Sequence, residues 1–328
     1  MNPGGFAMKK KTLRLALLML APALGLSQTQ NTGQPPAWQM SWDQIQAVVG
    51  KVRAGKDLTP KSWPGGNRVA VAISFDVDNE TTSLRDGNTS PSELSQGEYG
   101  SRTAMPRILA LLDRHGIKAT FFVPAVTAKL YPETIRQIVA RGHEIGMHGW
   151  IHERNSQLTE SQERDLMRKS YDTLREISGT RPVGIRTPSW DYSPWTMKII
   201  REMKLLYDSS LMADERPYEV LYEGRPTGVV ELPVEWIMDD YPYFGMNRFS
   251  TIRPHIGPED VLDLWRKEFD VAYDESSLFV LTTHPHIIGH RSRIVILDKL
   301  IAYMKSRQGV WFARHDEVAR AAAAQLRK

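Results

Sequence analysis

From Arg68 onward, short apolar, β-branched runs alternate with longer stretches whose apolar residues recur at helical spacing. Val69 to Phe75 reads as a strand, Met105 to His115 as a helix stopped by Gly116, and Ala119 to Pro124 as the next strand. Helix Pro132 to Arg141, strand His143 to Met147, helix Thr159 to Ser178, strand Pro182 to Arg186, helix Ser193 to Met203 and strand Leu206 to Ser209 continue the alternation. Val229 to Pro233, helix Gly257 to Asp274, strand Leu278 to Thr283, a helix over Arg293 to Ser306 and the strand-like Val310 to Ala313 follow. Parallel strands need crossovers long enough to hold a helix, so this order predicts an α/β class protein with one barrel-like domain over residues 67–328.

The segment ahead of that domain has a different texture. Lys9, Lys10, Lys11 and Arg14 precede an apolar run from Leu15 to Leu26, and the small residues Gly25 and Ser27 lead into a polar stretch. A run of about a dozen apolar residues is short of the ~20 that a spanning helix needs, so residues 1–27 read as a secretory signal peptide. The expectation is an exported protein, periplasmic or secreted, with no stable membrane span after cleavage; an uncleaved anchor is the competing reading. Residues 28–66 read as a tether followed by a short amphipathic helix, Ser41 to Ala54, capped by Ser41 and carrying Trp42, Ile45, Val48, Val49 and Val52 on its apolar side.

Composition narrows the chemistry. Hydrophobic residues at 41% and charged residues at 24% are ordinary for a globular chain. The formal charge of +4 is dispersed, with no basic stripe interleaved with aromatics, which argues against a nucleic-acid partner. The 328 residues include no cysteine, so thiol nucleophiles and thiolate metal sites are excluded and any metal must be held by His, Asp or Glu.

Four clusters place polar residues at the carboxyl ends of expected strands, where α/β folds bind ligands. Ser74-Phe75-Asp76-Val77-Asp78 ends a strand in two acids that would share a face if the strand continued. His148 and His152 are four apart, so on a helical turn both imidazoles could ligate one cation, although Gly146 and Gly149 point to close backbone approach rather than plain helix. Gly184-Ile185-Arg186-Thr187-Pro188 sets an Arg at a strand end before a rigid turn, suited to a two-pronged grip on a carboxylate. Leu281-Thr282-Thr283-His284-Pro285-His286 ends a strand in a His with a second His beyond a prolyl turn. Each cluster alone also admits a structural reading: Asp caps strands and opens turns, and His pairs and turn-flanking Arg residues occur on ordinary surfaces.

In this order, across about 260 residues, the clusters resemble the motifs of the NodB-homology polysaccharide deacetylases, in a branch similar to bacterial peptidoglycan deacetylases and allantoinase-like hydrolases. Tyr99-Gly100-Ser101-Arg102, Lys118 to Val123, Glu231 to Trp236 and Asp239-Asp240-Tyr241 resemble that branch as well. The resemblance implies a distorted (β/α) barrel and a metal-dependent hydrolase of non-peptide C–N bonds. It implies Asp76 as general base, Asp78, His148 and His152 as metal ligands, Arg186 as the residue holding the base, and His284 as general acid with Asp239 or Asp240 beside it. Tyr99, Arg102, Trp190, Asp239, Asp240 and His286 are the expected substrate contacts. The implied cofactor is a divalent transition metal, zinc foremost, with cobalt, nickel, manganese and iron also compatible with such a ligand set.

An N-acetylated envelope polysaccharide such as peptidoglycan is the expected substrate. A small cyclic amide, imide or ureide is the alternative, because Arg85 to Tyr99 and Trp236 to Phe249 could wall off a small-molecule pocket. A metal-free mechanism is disfavoured by the presence of all the ligand-type residues. A non-catalytic carbohydrate binder is the weaker reading, since it has no need of an acid, a base, an orienting Arg and three ligands together. Members of the branch resemble homo-oligomers, but no feature of the sequence demonstrates assembly.

Overall fold

The computed structural model describes residue 1 and residues 36–246 and 256–327. The expected signal peptide and most of the tether lie outside these, as does the end of the Trp236 to Phe249 insertion. The chain divides into two compact units, Met1–Ile45 and Gln46–Lys328. No helix among the described residues is long and apolar enough to cross a membrane.

Ten strands form one sheet: β1 (Val52–Asp57), β2 (Val69–Asp76), β3 (Thr120–Val123), β4 (Glu144–Met147), β5 (Gly184–Ile185), β6 (Tyr207–Asp208), β7 (Tyr218–Tyr222), β8 (Arg225–Glu231), β9 (Leu278–Thr283) and β10 (Val310–Phe312). From β2 the parallel neighbours run β3, β4, β5, β6 and β8, while β9 lies parallel to β2 on its other side. A single parallel bridge between Asp239 and Thr282 connects the far side back to β9. The result is the distorted (β/α) barrel that the alternation predicts, curled but joined at its seam by one residue pair.

β2 is the central element. All eight of its residues are buried, because helices cover one face and the barrel interior the other. The helix Met105–His115 shows how sequence sets that packing: Met105, Ile108, Leu109, Leu111 and Leu112 are buried, and Gly116 at φ 65° ends the helix in the left-handed region where a side chain is disfavoured. Thr159 caps Glu160–Ser178 through the backbone N–H of Gln162, and the Gln162 side chain accepts from the Thr159 backbone in return. At β5 an added Cβ on Gly184 would lie 2.0 Å from the Tyr207 ring, so only glycine lets β5 and β6 approach there.

One expected element differs. The helix anticipated over Ser41 to Ala54 is Trp42–Val49, and Val52–Asp57 is a strand paired antiparallel with β7. Val52 extends the apolar spacing of the helix by one turn, but Gly50 breaks it, and the hydrogen-bonding edge of β7 claims the segment. Of the expected strand Val229 to Pro233, only Val229 to Glu231 is strand; it is the end of a longer β8 that starts at Arg225 and forms a hairpin with β7.

Candidate active site

β2 ends at Asp76, and the backbone N–H of Val77 bonds to the Phe122 carbonyl before the chain turns at Asn79, which has φ 49°. The turn leaves Asp76 and Asp78 lining one cavity of about 400 Å³ at the carboxyl end of the barrel. His148 and His152 line the same cavity from the loop after β4. Their four-residue spacing does not work through a helical turn. Gly149 at φ 73° and His152 at φ 62° fold an irregular loop, braced by the Glu153 carboxylate accepting the backbone N–H groups of Trp150 and Ile151. Both imidazoles converge on Asp78, with Nε2 of each 3.3 Å from a carboxylate oxygen.

Arg186 is fully buried. Its Nη1 donates to Asp76 Oδ1 at 2.8 Å and to Ser74 Oγ at 2.7 Å, which leaves Asp76 Oδ2 facing the cavity 3.8 Å from His148 Nε2. Across the trio, His284 Nε2 lies 3.7 Å from Asp78 Oδ2. The choice between Asp239 and Asp240 is clear in the geometry: His284 Nδ1 donates to Asp240 Oδ1 at 2.7 Å, and the His284 backbone N–H reaches both Asp240 oxygens at 3.1 Å. Asp239 Oδ1 accepts the Tyr241 backbone N–H and is 3.4 Å from His284 Nδ1. Burial opposes a charged imidazole at His284, but the Asp239 and Asp240 carboxylates outweigh it and raise its pKa well above the ordinary value.

The donor chemistry of Asp78, His148 and His152 fits a metal ion. Their ligand atoms all lie within 4.8 Å of one another, and Asp78 Oδ1 is buried with no hydrogen-bond partner among the described residues. His148 Nδ1 donates to the Arg186 carbonyl at 2.7 Å, which puts the Nε2 lone pair toward Asp78. His152 is set differently: Arg85 Nη1, necessarily a donor, is 2.9 Å from its Nδ1, so the Nε2 proton faces Asp78. Ligation through His152 Nε2 therefore requires Arg85 to release Nδ1. Sequence reasoning did not single out Arg85, and only its place in the insertion after β2 hints at it.

Of the expected substrate contacts, Trp190, Asp239 and His286 line the cavity. The half-exposed Trp236 stacks on Trp190 at 4.0 Å, and with Tyr241 they form an aromatic wall. The lining also includes Arg85 from the helix Thr81–Arg85, Asn88 from the loop after it, and Glu93 and Gln96 from the helix Pro91–Tyr99. His286 is kept neutral by burial and by the nearby His284, with a pKa lowered to about 3. Asp240 sits behind His284, away from the lining. Tyr99 and Arg102 are not brought to the cavity: Tyr99 stacks on His290 and its hydroxyl bonds to the Gly289 carbonyl, while the exposed Arg102 pairs with Glu98.

The strand ends of the barrel thus gather an Arg-held carboxylate, an Asp-held imidazole and an Asp-His-His trio around one cavity. A family model described as polysaccharide deacetylase matches residues 95–207. A Mycobacterium smegmatis structure named as a polysaccharide deacetylase is 36% identical, covering 84% of this chain and 96% of its own, with a TM-score of 0.76. The peptidoglycan deacetylase of Helicobacter pylori is 28% identical over 282 residues, covering 76% of this chain and 95% of its own. The PuuE allantoinase structure is 27% identical, covering 83% and 98%, with a TM-score of 0.72. The chain belongs to the polysaccharide deacetylase family, hydrolases that act on carbon–nitrogen bonds other than peptide bonds.

Proposed function

We propose that this protein is a metal-dependent N-deacetylase of an amino-sugar polysaccharide, with peptidoglycan as the foremost candidate. The observation that carries the reading is the placing of the Asp78-His148-His152 trio between Asp76 on one side and His284 on the other. A divalent metal held by those three residues would polarise the amide carbonyl and acidify water; zinc suits the donor set, as do cobalt, nickel, manganese and iron. Asp76, fixed through Oδ1 by Arg186, has Oδ2 free to take a proton from the attacking water. His284, charged and oriented by Asp240, gives its Nε2 proton to the departing nitrogen, which otherwise would leave as an amine anion. The aromatic wall of Trp190, Trp236 and Tyr241 suits the apolar face of a sugar ring, and Trp190, His286 and Asp239 are the substrate contacts the cavity favours. The leader-like residues 1–27 and the peptidoglycan deacetylase relative support an exported address, periplasmic or secreted.

Hydrolysis of a small cyclic amide or ureide is the second reading, favoured by the likeness to the allantoinase and by the contribution of residues 85–97 and 236–246 to the cavity lining. The test is acetate release from N-acetylglucosamine oligomers and peptidoglycan by zinc-reconstituted protein, beside a panel of cyclic imides and ureides. Acetate release lost in Asp76→Asn with zinc binding intact supports the deacetylase. Ring opening without acetate moves the protein to the second reading. Tight oligosaccharide binding with neither reaction overturns both in favour of a carbohydrate binder.

A further inference from the structure

Four of the five guanidinium N–H groups of Arg186 have partners on Ser74, Asp76 and Ser209, of which Asp76 lines the cavity. Nε donates to the Ser209 carbonyl at 3.0 Å, Nη2 to Ser209 Oγ at 2.9 Å, and Nη1 to Ser74 Oγ and Asp76 Oδ1. The fifth donates to His315 Nε2, 3.3 Å from Nη2. His315 opens the helix His315–Ala323, is fully buried, and does not line the cavity. Because a guanidinium only donates, His315 Nε2 must present its lone pair, and the ring is a neutral imidazole with its proton on Nδ1. Burial and the facing charge of Arg186 both disfavour protonation, which keeps that state.

Two contacts seat His315, one through its backbone and one through its ring, while Nδ1 is buried with no hydrogen-bond partner among the described residues. The His315 backbone N–H donates to Thr120 Oγ1 at 2.8 Å. Its ring meets Phe122 nearly edge-on, with centroids 5.3 Å apart and planes at 89°, and the guanidinium lies 4.3 Å over the same Phe122 ring. Arg186 is thus held on all five donors and on one face, with His315 accepting the fifth N–H.

We infer that His315 is a positioning residue: by accepting the last Arg186 N–H it fixes the guanidinium in the orientation that presents Asp76 Oδ2 to the cavity. The inference rests on the reading of Asp76 as the base. His315→Gln keeps an acceptor near the reach of Nε2, whereas the side chain of His315→Asn stops short of it.

The test uses the full-length zinc-reconstituted protein and whichever hydrolysis the wild type performs. His315→Asn is expected to lower kcat about ten- to hundredfold, the range for a buried donor left unpaired, with KM and zinc affinity within about twofold. His315→Gln is expected to restore kcat to within about threefold of wild type. Crystal structures of both variants should show the guanidinium rotated off Asp76 in Asn and seated in Gln. Wild-type kcat in Asn, or equal losses in both variants with Arg186 unmoved, overturns the inference. If His315→Asn does not fold, His315→Gln decides: seated Arg186 with near-wild-type turnover supports it, and lost turnover with Arg186 unmoved overturns it. The guanidinium position is read without substrate, so a wild type that releases no acetate sinks the deacetylase reading separately.

Discussion

Asp240 accepts three hydrogen bonds from one residue, His284, and is completely buried while doing so. Asp240→Asn preserves shape but removes the charge opposite Nδ1. A hydrogen bond to a charged partner contributes about 1.5–3 kcal/mol, so at about 1.4 kcal/mol per decade kcat should fall roughly 10- to 150-fold. The pH profile gives the sharper check. His284 acts in its protonated form, so activity is lost as pH rises through its pKa, and lowering that pKa moves the basic limb to lower pH. Loss of one adjacent carboxylate should move the limb to lower pH, with Asp239 at 3.4 Å from Nδ1 retaining part of the elevation. The assay is initial-rate acetate release from about pH 5 to about 10, at saturating and limiting substrate. A basic limb that stays in place, with kcat within about threefold of wild type, would refute Asp240 as the partner that charges and aims His284.

Arg85→Met should tighten zinc binding by up to about tenfold in competition titrations, because it removes the donor that occupies His152 Nδ1; weaker binding would show that Arg85 supports the trio instead. Burial, and then the Asp316 charge, raise the Glu144 carboxyl to about 7 from an ordinary 4.5. A carboxyl with a raised folded pKa holds its proton longer when folded, so its contribution is fully present below the unfolded value and is lost as pH rises through the folded one. Urea midpoints of wild type should therefore fall between about pH 4.5 and about pH 7 relative to Glu144→Gln, and parallel curves would reject the shift.

Legibility in the sequence tracked burial. Met105–His115 and Leu278–Thr283 have the bounds expected from the sequence, because each buries a continuous apolar set and each ends at an unmistakable signal, Gly116 and His284-Pro285. Among the elements that went unread, β1 is an edge strand of mostly exposed residues whose partner β7 lies far along the chain, so its pairing is not encoded in local periodicity; β7 and the helices Thr81–Arg85 and Pro91–Tyr99 are short segments whose apolar positions are too few to show a period. Within the site, the residue types and their order along the chain were readable. What carried Asp78, His148 and His152 together was loop geometry rather than helical spacing. Arg85 and His315 were not legible, since each matters through one atom placed against a residue distant in the chain, with only the Arg314-His315-Asp316 run to mark the second.

The register of β2 has a consequence for how the molecule is made. Ser74 on β2 donates to the Leu281 carbonyl on β9, 207 residues later. At a synthesis rate of about 5–20 residues per second, β2 waits roughly 10–40 s for its β9 partner to be synthesised. For that interval a strand that ends up buried along its whole length has an unpaired edge, open to any extended segment that reaches it first. Correct closure of the seam is therefore a race against mispairing, and a chaperone that shields the β2 edge should raise the yield of folded protein more than one that acts on the helices.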